Sequence, residues 1–233
     1  MTLRHPKIAL CFIVFSRMIL LLVFQGAAWL LLSGKSDAFY VSTTYWTVYV
    51  TLTNMVLLAL MLTFDSKTGY TQIFKFEKKQ AIAFLKWIPL LLLSAMGPNL
   101  LLSYVIYGDL EIGAKLLLFD HGLLITALNF SLFPILQGLT EIPFYFLVLK
   151  PMLKSHTRKP LFYLGIPILI LSLQHIVMPL YLDVSYVLYR GLMFLGFAIL
   201  IGILIERKPN LMPYFMVMHI LMNLSFMMMQ LMS

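Results

Sequence analysis

The sequence predicts an all-α polytopic membrane bundle of about seven transmembrane helices, and three observations predict it. Apolar residues make up 61% of the chain and charged residues 11%, where a soluble domain carries about 25% charged residues. The apolar residues gather in runs near or above the roughly 20 needed to cross a bilayer. Basic residues concentrate in alternate connections between those runs. Lipid cannot satisfy backbone N–H and C=O groups, so a spanning segment is a helix or part of a closed barrel. Long runs without period-2 alternation select helices.

The runs cover residues 8–32, 44–64, 82–107, 122–149, 161–182, 185–205 and 211–231. The first follows Arg4, His5 and Lys7. It is longer than the roughly 7–15-residue core of a signal peptide and no small-residue cleavage site follows it, so it is read as a retained span. The fourth contains Pro134, Gly138 and Pro143. Proline removes a helix hydrogen bond, so this run predicts a kink or a broken start. The polar connection 65–80 sets Ile73, Phe74 and Phe76 beside Lys75, Lys78 and Lys79, a pattern for a surface helix on the inner leaflet or for a solvated loop. No repeat or separate soluble domain interrupts the chain. It reads as one integral membrane domain, 1–233, with N-terminal spans in 1–121 and a core in 122–233.

The charges orient the bundle. Thirteen basic residues belong to the N-terminus and the second, fourth and sixth connections with their flanks, three (Lys35, Lys115, Arg190) to the alternate ones, and Arg17 lies inside a run. The richer side is cytoplasmic by the positive-inside rule, which puts the N-terminus inside. The net charge of +8 thus follows from topology and anionic headgroups. No basic arm or aromatic-basic patch points to nucleic acid. The single cysteine, Cys11, excludes an intrachain disulfide and a cysteine-based metal site.

Ionisable groups inside lipid cost at least a few kcal/mol and mark function by default. Arg17, Glu141, His175 and His219 lie within runs, and Lys86, Asp120 and His121 near their ends. Lys86 and Arg17 are read as snorkelling anchors. Glu141, His175 and His219 come from three separate runs. At 1.5 Å per residue they lie roughly 13, 20 and 12 Å from the cytoplasmic ends, close enough in depth to converge. Asn223 follows His219 at i+4 and shares its face. One carboxylate, two imidazoles and a carboxamide suit water activation, with Glu141 as general base. Two chemistries stay open for the histidines. With Glu141 they can bind Zn²⁺, or they can polarise a peptide carbonyl without metal, with Asn223 as oxyanion donor. Hydrogen-bonding packing between helices is the bland reading of each histidine alone. A proton or ion path uses the same residue types.

Three segments carry a resemblance: Thr140-Glu141-Ile142-Pro143-Phe144-Tyr145, Leu171-Ser172-Leu173-Gln174-His175 and His219-Ile220-Leu221-Met222-Asn223. In order and spacing they resemble the CPBP family of intramembrane proteases, also called the CAAX protease and bacteriocin-processing or Abi family. Its pattern is Glu-Glu-x-x-x-Arg, then Phe-x-x-x-His, then His-x-x-x-Asn or Asp. The resemblance covers roughly residues 135–226. Thr140 stands at the first glutamate, Tyr145 at the arginine and Leu171 at the phenylalanine. A hydroxyl is a poor base at neutral pH, so either Glu141 takes the base role or the chain is an inactive relative. Glu141-Ile142-Pro143-Phe144-Tyr145 with Pro151 resembles a subgroup with a single glutamate. The resemblance implies a membrane endopeptidase acting on a peptide or membrane-protein substrate, with Glu141, His175, His219 and Asn223 catalytic. It also implies a multi-pass protein of a bacterial plasma membrane. A binding or immunity protein without catalysis is one alternative. A transporter is the other, although many transporters show inverted repeats and this sequence shows none.

Overall fold

The computed structural model describes residues 6–35, 37–117 and 122–232. Arg4, His5, Asp120 and His121 lie outside the described residues. The described chain is predominantly helical, with no β-strand among the described residues. Six helices are long and apolar enough to cross a membrane: α1 (Cys11–Leu31), α2 (Trp46–Thr63), α3 (Ile88–Tyr107), α4 (Leu132–His156), α6 (Val184–Arg207) and α7 (Pro209–Gln230). Between α4 and α6 lies a shorter apolar helix, α5 (Pro160–Ile176). Its 17 residues reach about 25 Å, short of the roughly 30 Å hydrocarbon core. All seven expected runs therefore form helices, with six meeting the length of a span.

The bundle exposes aliphatic side chains and buries several polar ones within a largely apolar core. Leu93, Leu101 and Val105 of α3 are each more than 60% exposed. Arg17, Asn54, Gln137 and Glu141 are buried. Such exposed aliphatic helix faces fit a lipid solvent. Helix α4 is the centre: it packs most extensively against α7 and α2, while α6 packs on α3 and α5.

Local sequence explains where helices break. The fourth run has a separate first helix, Leu123–Phe130, and turns at Ser131 before α4 begins. The broken start predicted for this run is therefore present. Pro134 falls in the first turn of α4, where a missing N–H costs little because that group has no helical partner anyway. Pro143 is different. It leaves the Leu139 carbonyl without its i+4 donor, and the hydroxyl of Tyr70 donates to that carbonyl instead, at 3.0 Å. A π-helical turn, Phe144–Leu149, follows directly. The helix does not stop at residue 149 as its lysines suggested. It continues to His156, and Lys150 pairs with Glu206 at 2.8 Å.

The fifth run was expected to reach residue 182, but α5 ends at Ile176. Proline disfavours the helical conformation at the residue before it, and Pro179 stands three residues beyond the helix end at Ile176. Non-helical backbone at this depth survives only where protein satisfies it. Here Gln25 of α1 accepts from the Leu180 amide at 3.1 Å, Tyr186 donates to the Pro179 carbonyl, and Arg190 donates to the His175 and Met178 carbonyls. In the polar connection after α2, Phe74 and Phe76 lie on non-helical backbone, as in the loop reading rather than on the expected surface helix. A one-turn helix (Asp65–Thr68) and a 3₁₀ turn (Thr71–Ile73) precede a short helix, Lys78–Leu85. The hydroxyl and amide of Thr71 donate to Asp65 and hold its carboxyl below the usual carboxylate range.

Candidate active site

Glu141 is fully buried at the middle of α4. Its carboxylate meets three partners from three other helices. His219 Nε2 of α7 lies 2.8 Å from Oε2. Gln174 of α5 donates from Nε2 to Oε1. Arg17 Nη2 of α1 lies 3.6 Å from the same oxygen. The amide of Gln174 is oriented by Tyr145, whose hydroxyl donates to Gln174 Oε1 at 2.8 Å. An oxygen so occupied turns the nitrogen end of the amide towards Glu141.

A second set of polar groups stands behind the carboxylate. Gln137, one turn before Glu141 on α4, accepts on Oε1 from Arg17 Nη2 at 2.8 Å and from Asn54 Nδ2 of α2 at 2.7 Å. Thr140 Oγ1 lies 2.8 Å from Asn54 Oδ1 and 2.7 Å from the Leu136 carbonyl. Nε and Nη1 of Arg17 and Nδ1 of His219 are buried without a hydrogen-bond partner among the described residues.

The sequence-predicted residues share one cavity of about 220 Å³ lined by Glu141, His175, His219 and Asn223. Glu141 and His219 touch. His175 faces the cavity from the end of α5, with Nδ1 3.0 Å from the Ser172 carbonyl and its ring against Phe194. If Nδ1 carries the proton, Nε2 is left as the free acceptor. Asn223 donates one N–H to the His219 carbonyl at 2.8 Å, so a carboxamide N–H remains for the cavity.

Arg17, read as a snorkelling anchor, is fully buried beside Glu141. Thr140 does not line the cavity; it bonds towards α2. Gln174 went unnoticed beside His175, although a carboxamide inside an apolar run carries the same signal as a histidine. Gln137 and Asn54 were detectable in the same way.

The donor set does not fit the Zn²⁺ centre considered for Glu141, His175 and His219. Among the described residues no three His, Cys, Asp or Glu side chains stand together as a metal-ion site. One carboxylate oxygen of Glu141 faces Gln174 and Arg17, the other His219. A dication there would sit beside a guanidinium cation. The residues present instead form a hydrogen-bonded carboxylate with an imidazole partner, next to a largely apolar cavity with a few convergent polar groups. No family model, curated protein or solved structure matches this chain.

Proposed function

We propose that this chain is an intramembrane endopeptidase, a divergent relative of the CPBP proteases with a single glutamate. The observation carrying this reading is that Glu141, His175, His219 and Asn223, drawn from three helices, line one buried cavity. Pockets with perturbable groups and convergent donors are the default sites of chemistry. In this reading water enters the cavity and gives a proton to the Glu141 carboxylate while its oxygen attacks the peptide carbonyl carbon. The oxyanion is met by the N–H of Asn223. The tetrahedral intermediate then expels the amine, which takes the proton from Glu141, so one water is consumed and no other reactant is needed. His219 holds the carboxylate in place, and His175 faces the carbonyl from the opposite helix. In the same reading the basic connections lie in the cytoplasm and the bundle belongs to the cell membrane.

The test is cleavage by the purified full-length protein in lipid nanodiscs. A panel of apolar peptides and small membrane proteins serves as substrate, with fragments read by mass spectrometry. Glu141→Gln is expected to lower kcat on the order of 10²–10⁴-fold, the usual contribution of a general base. Retained activity in Glu141→Gln, His175→Ala and His219→Ala together would exclude the mechanism. Tyr145→Phe is expected to lower kcat about fivefold, because one lost hydrogen bond of ~1 kcal/mol frees the Gln174 amide to turn. An unchanged rate would remove Tyr145 and Gln174 from the account.

A second reading is a non-catalytic binding protein. It is favoured by the burial of the Glu141 carboxylate against Arg17, Gln174 and His219, which already crowd it. A cellular phenotype that survives Glu141→Gln but is lost on truncation of α7 selects it.

A further inference from the structure

The cavity holds a second arginine that the mechanism leaves unused. Arg190, in the first two turns of α6, is 5% exposed and lines the same cavity as Glu141. Arg17 has a carboxylate partner; Arg190 has none within 4 Å among the described residues. Its Nε donates to the His175 carbonyl at 3.2 Å and its Nη2 to the Met178 carbonyl at 2.7 Å, while Nη1 lies 3.6 Å from Met193 Sδ. Those three acceptors are neutral, and the Tyr186 ring, 6.0 Å from the guanidinium, attracts the cation without supplying a counter-ion.

A structural role accounts for part of this geometry, since the two carbonyls belong to the turn where α5 ends. It does not account for the charge. Carbonyl dipoles orient a guanidinium without neutralising it, and a bare cation at membrane depth costs at least a few kcal/mol. A neutral glutamine has donors enough for two carbonyls. A guanidinium offers five N–H groups in a planar fork that matches a carboxylate, and three here have an acceptor. The cavity wall mixes apolar side chains such as Trp46, Phe133, Phe197 and Met222 with the polar Asn99, Gln137, Tyr189 and Asn223, and Glu141 is its one carboxylate.

We propose that Arg190 anchors the substrate by binding a carboxylate carried on an otherwise apolar peptide segment, which places the neighbouring backbone at Glu141 and His219. The word substrate rests on the peptidase reading; the anion site rests on the cavity and its uncompensated cation. The carboxylate has two sources, an acidic side chain or a free C-terminus, and one set of probes separates them.

Trp46 lines the cavity and reports occupancy once Trp29 and Trp87 are changed to Phe. Its fluorescence is titrated in the full-length Glu141→Gln protein with three leucine-rich hexapeptides. One is blocked at both ends, one has a free C-terminal carboxylate, and one is blocked but carries an internal glutamate. At least one carboxylate peptide is expected to bind about tenfold tighter than the blocked one, a difference of ~1.4 kcal/mol. Whichever carboxylate peptide shows the gain identifies the source. The preference is expected to vanish in Arg190→Gln and to survive in part in Arg190→Lys. Equal binding of all three peptides overturns the proposal, as does a preference that persists in Arg190→Gln. Should Arg190→Gln fail to fold, the three-peptide comparison with Arg190 intact decides alone. Cleavage is scored separately with Glu141 restored. Binding of the carboxylate peptide without cleavage of it overturns the peptidase reading and leaves the anion site standing. Cleavage without carboxylate preference does the reverse.

Discussion

Replacing Arg17 by methionine is expected to destabilise the bundle by about 3–5 kcal/mol, the cost of stripping one partner from a buried ion pair. Both side chains of the pair are fully buried, 3.6 Å apart. Without the guanidinium, Glu141 keeps an amide and an imidazole but no permanent cation. Gln137 also loses the donor that holds its Oε1 at 2.8 Å. Methionine nearly preserves the length and apolar stem, so the loss is electrostatic rather than one of volume. The measurement is thermal unfolding in a fixed detergent, compared across Arg17→Met, Glu141→Gln and the double variant. The double variant is expected to recover at least half of the Arg17→Met loss, because a neutral carboxamide in place of the Glu141 carboxylate no longer needs a cation. Losses that simply add would show that Arg17 and Glu141 are not coupled. Stability unchanged in Arg17→Met would return Arg17 to the role of a surface anchor.

Arg17 also shows where sequence reading stops. A basic residue inside an apolar run looks the same whether it snorkels or faces inward, since the difference lies in the rotation of the helix about its axis. That rotation is fixed by packing against α2 and α5, which no local pattern in α1 encodes. Glu141, His175, His219 and Asn223 were legible because burial of such groups in lipid is costly on any rotation, and because their depths could be counted from the helix ends. Convergence on one cavity follows from those depths together with the tight α4–α7 packing. The end of α4 was misplaced for a related reason. Lys150 and Lys154 read as the start of a loop, yet both lie on helix and pair with Glu206 of α6. A charge that terminates a hydropathy run need not terminate the helix. The shortness of α5 was foreshadowed by Pro179, but the run of apolar residues around it outweighed the proline. The side chains that satisfy that turn, Gln25, Tyr186 and Arg190, come from distant helices.

Gly138 is expected to be the least replaceable residue of the bundle. A β-carbon there would collide with Ile220 Cγ1 and lie 2.8 Å from the Met216 carbonyl oxygen and 3.1 Å from the Ile220 amide nitrogen. Ile220 can rotate away from the first contact, but the other two are backbone of α7 and can relax only if the helix moves. Small residues at such crossings let helix backbones approach in membranes. Gly138→Ala is expected to cost about 1–3 kcal/mol by overpacking, and Gly138→Leu more. Gly26 supplies the control, because a β-carbon there meets nothing within 4 Å. In that helix Gly26→Ala is expected to be neutral or to stabilise by up to about 1 kcal/mol, through the lower helix propensity of glycine. Thermal unfolding of the two alanine variants side by side separates propensity from packing; equal shifts would refute the close crossing. The crossing bears directly on the site. Gly138 stands one turn before Glu141 on α4, and Met216 one turn before His219 on α7, so the contact that a methyl group would break lies one turn from the 2.8 Å contact of Glu141 with His219. A helix shift large enough to admit the alanine methyl moves His219 away from the carboxylate. Under the peptidase reading, Gly138→Ala therefore lowers kcat even under conditions where the variant remains folded, while Gly26→Ala leaves it unchanged.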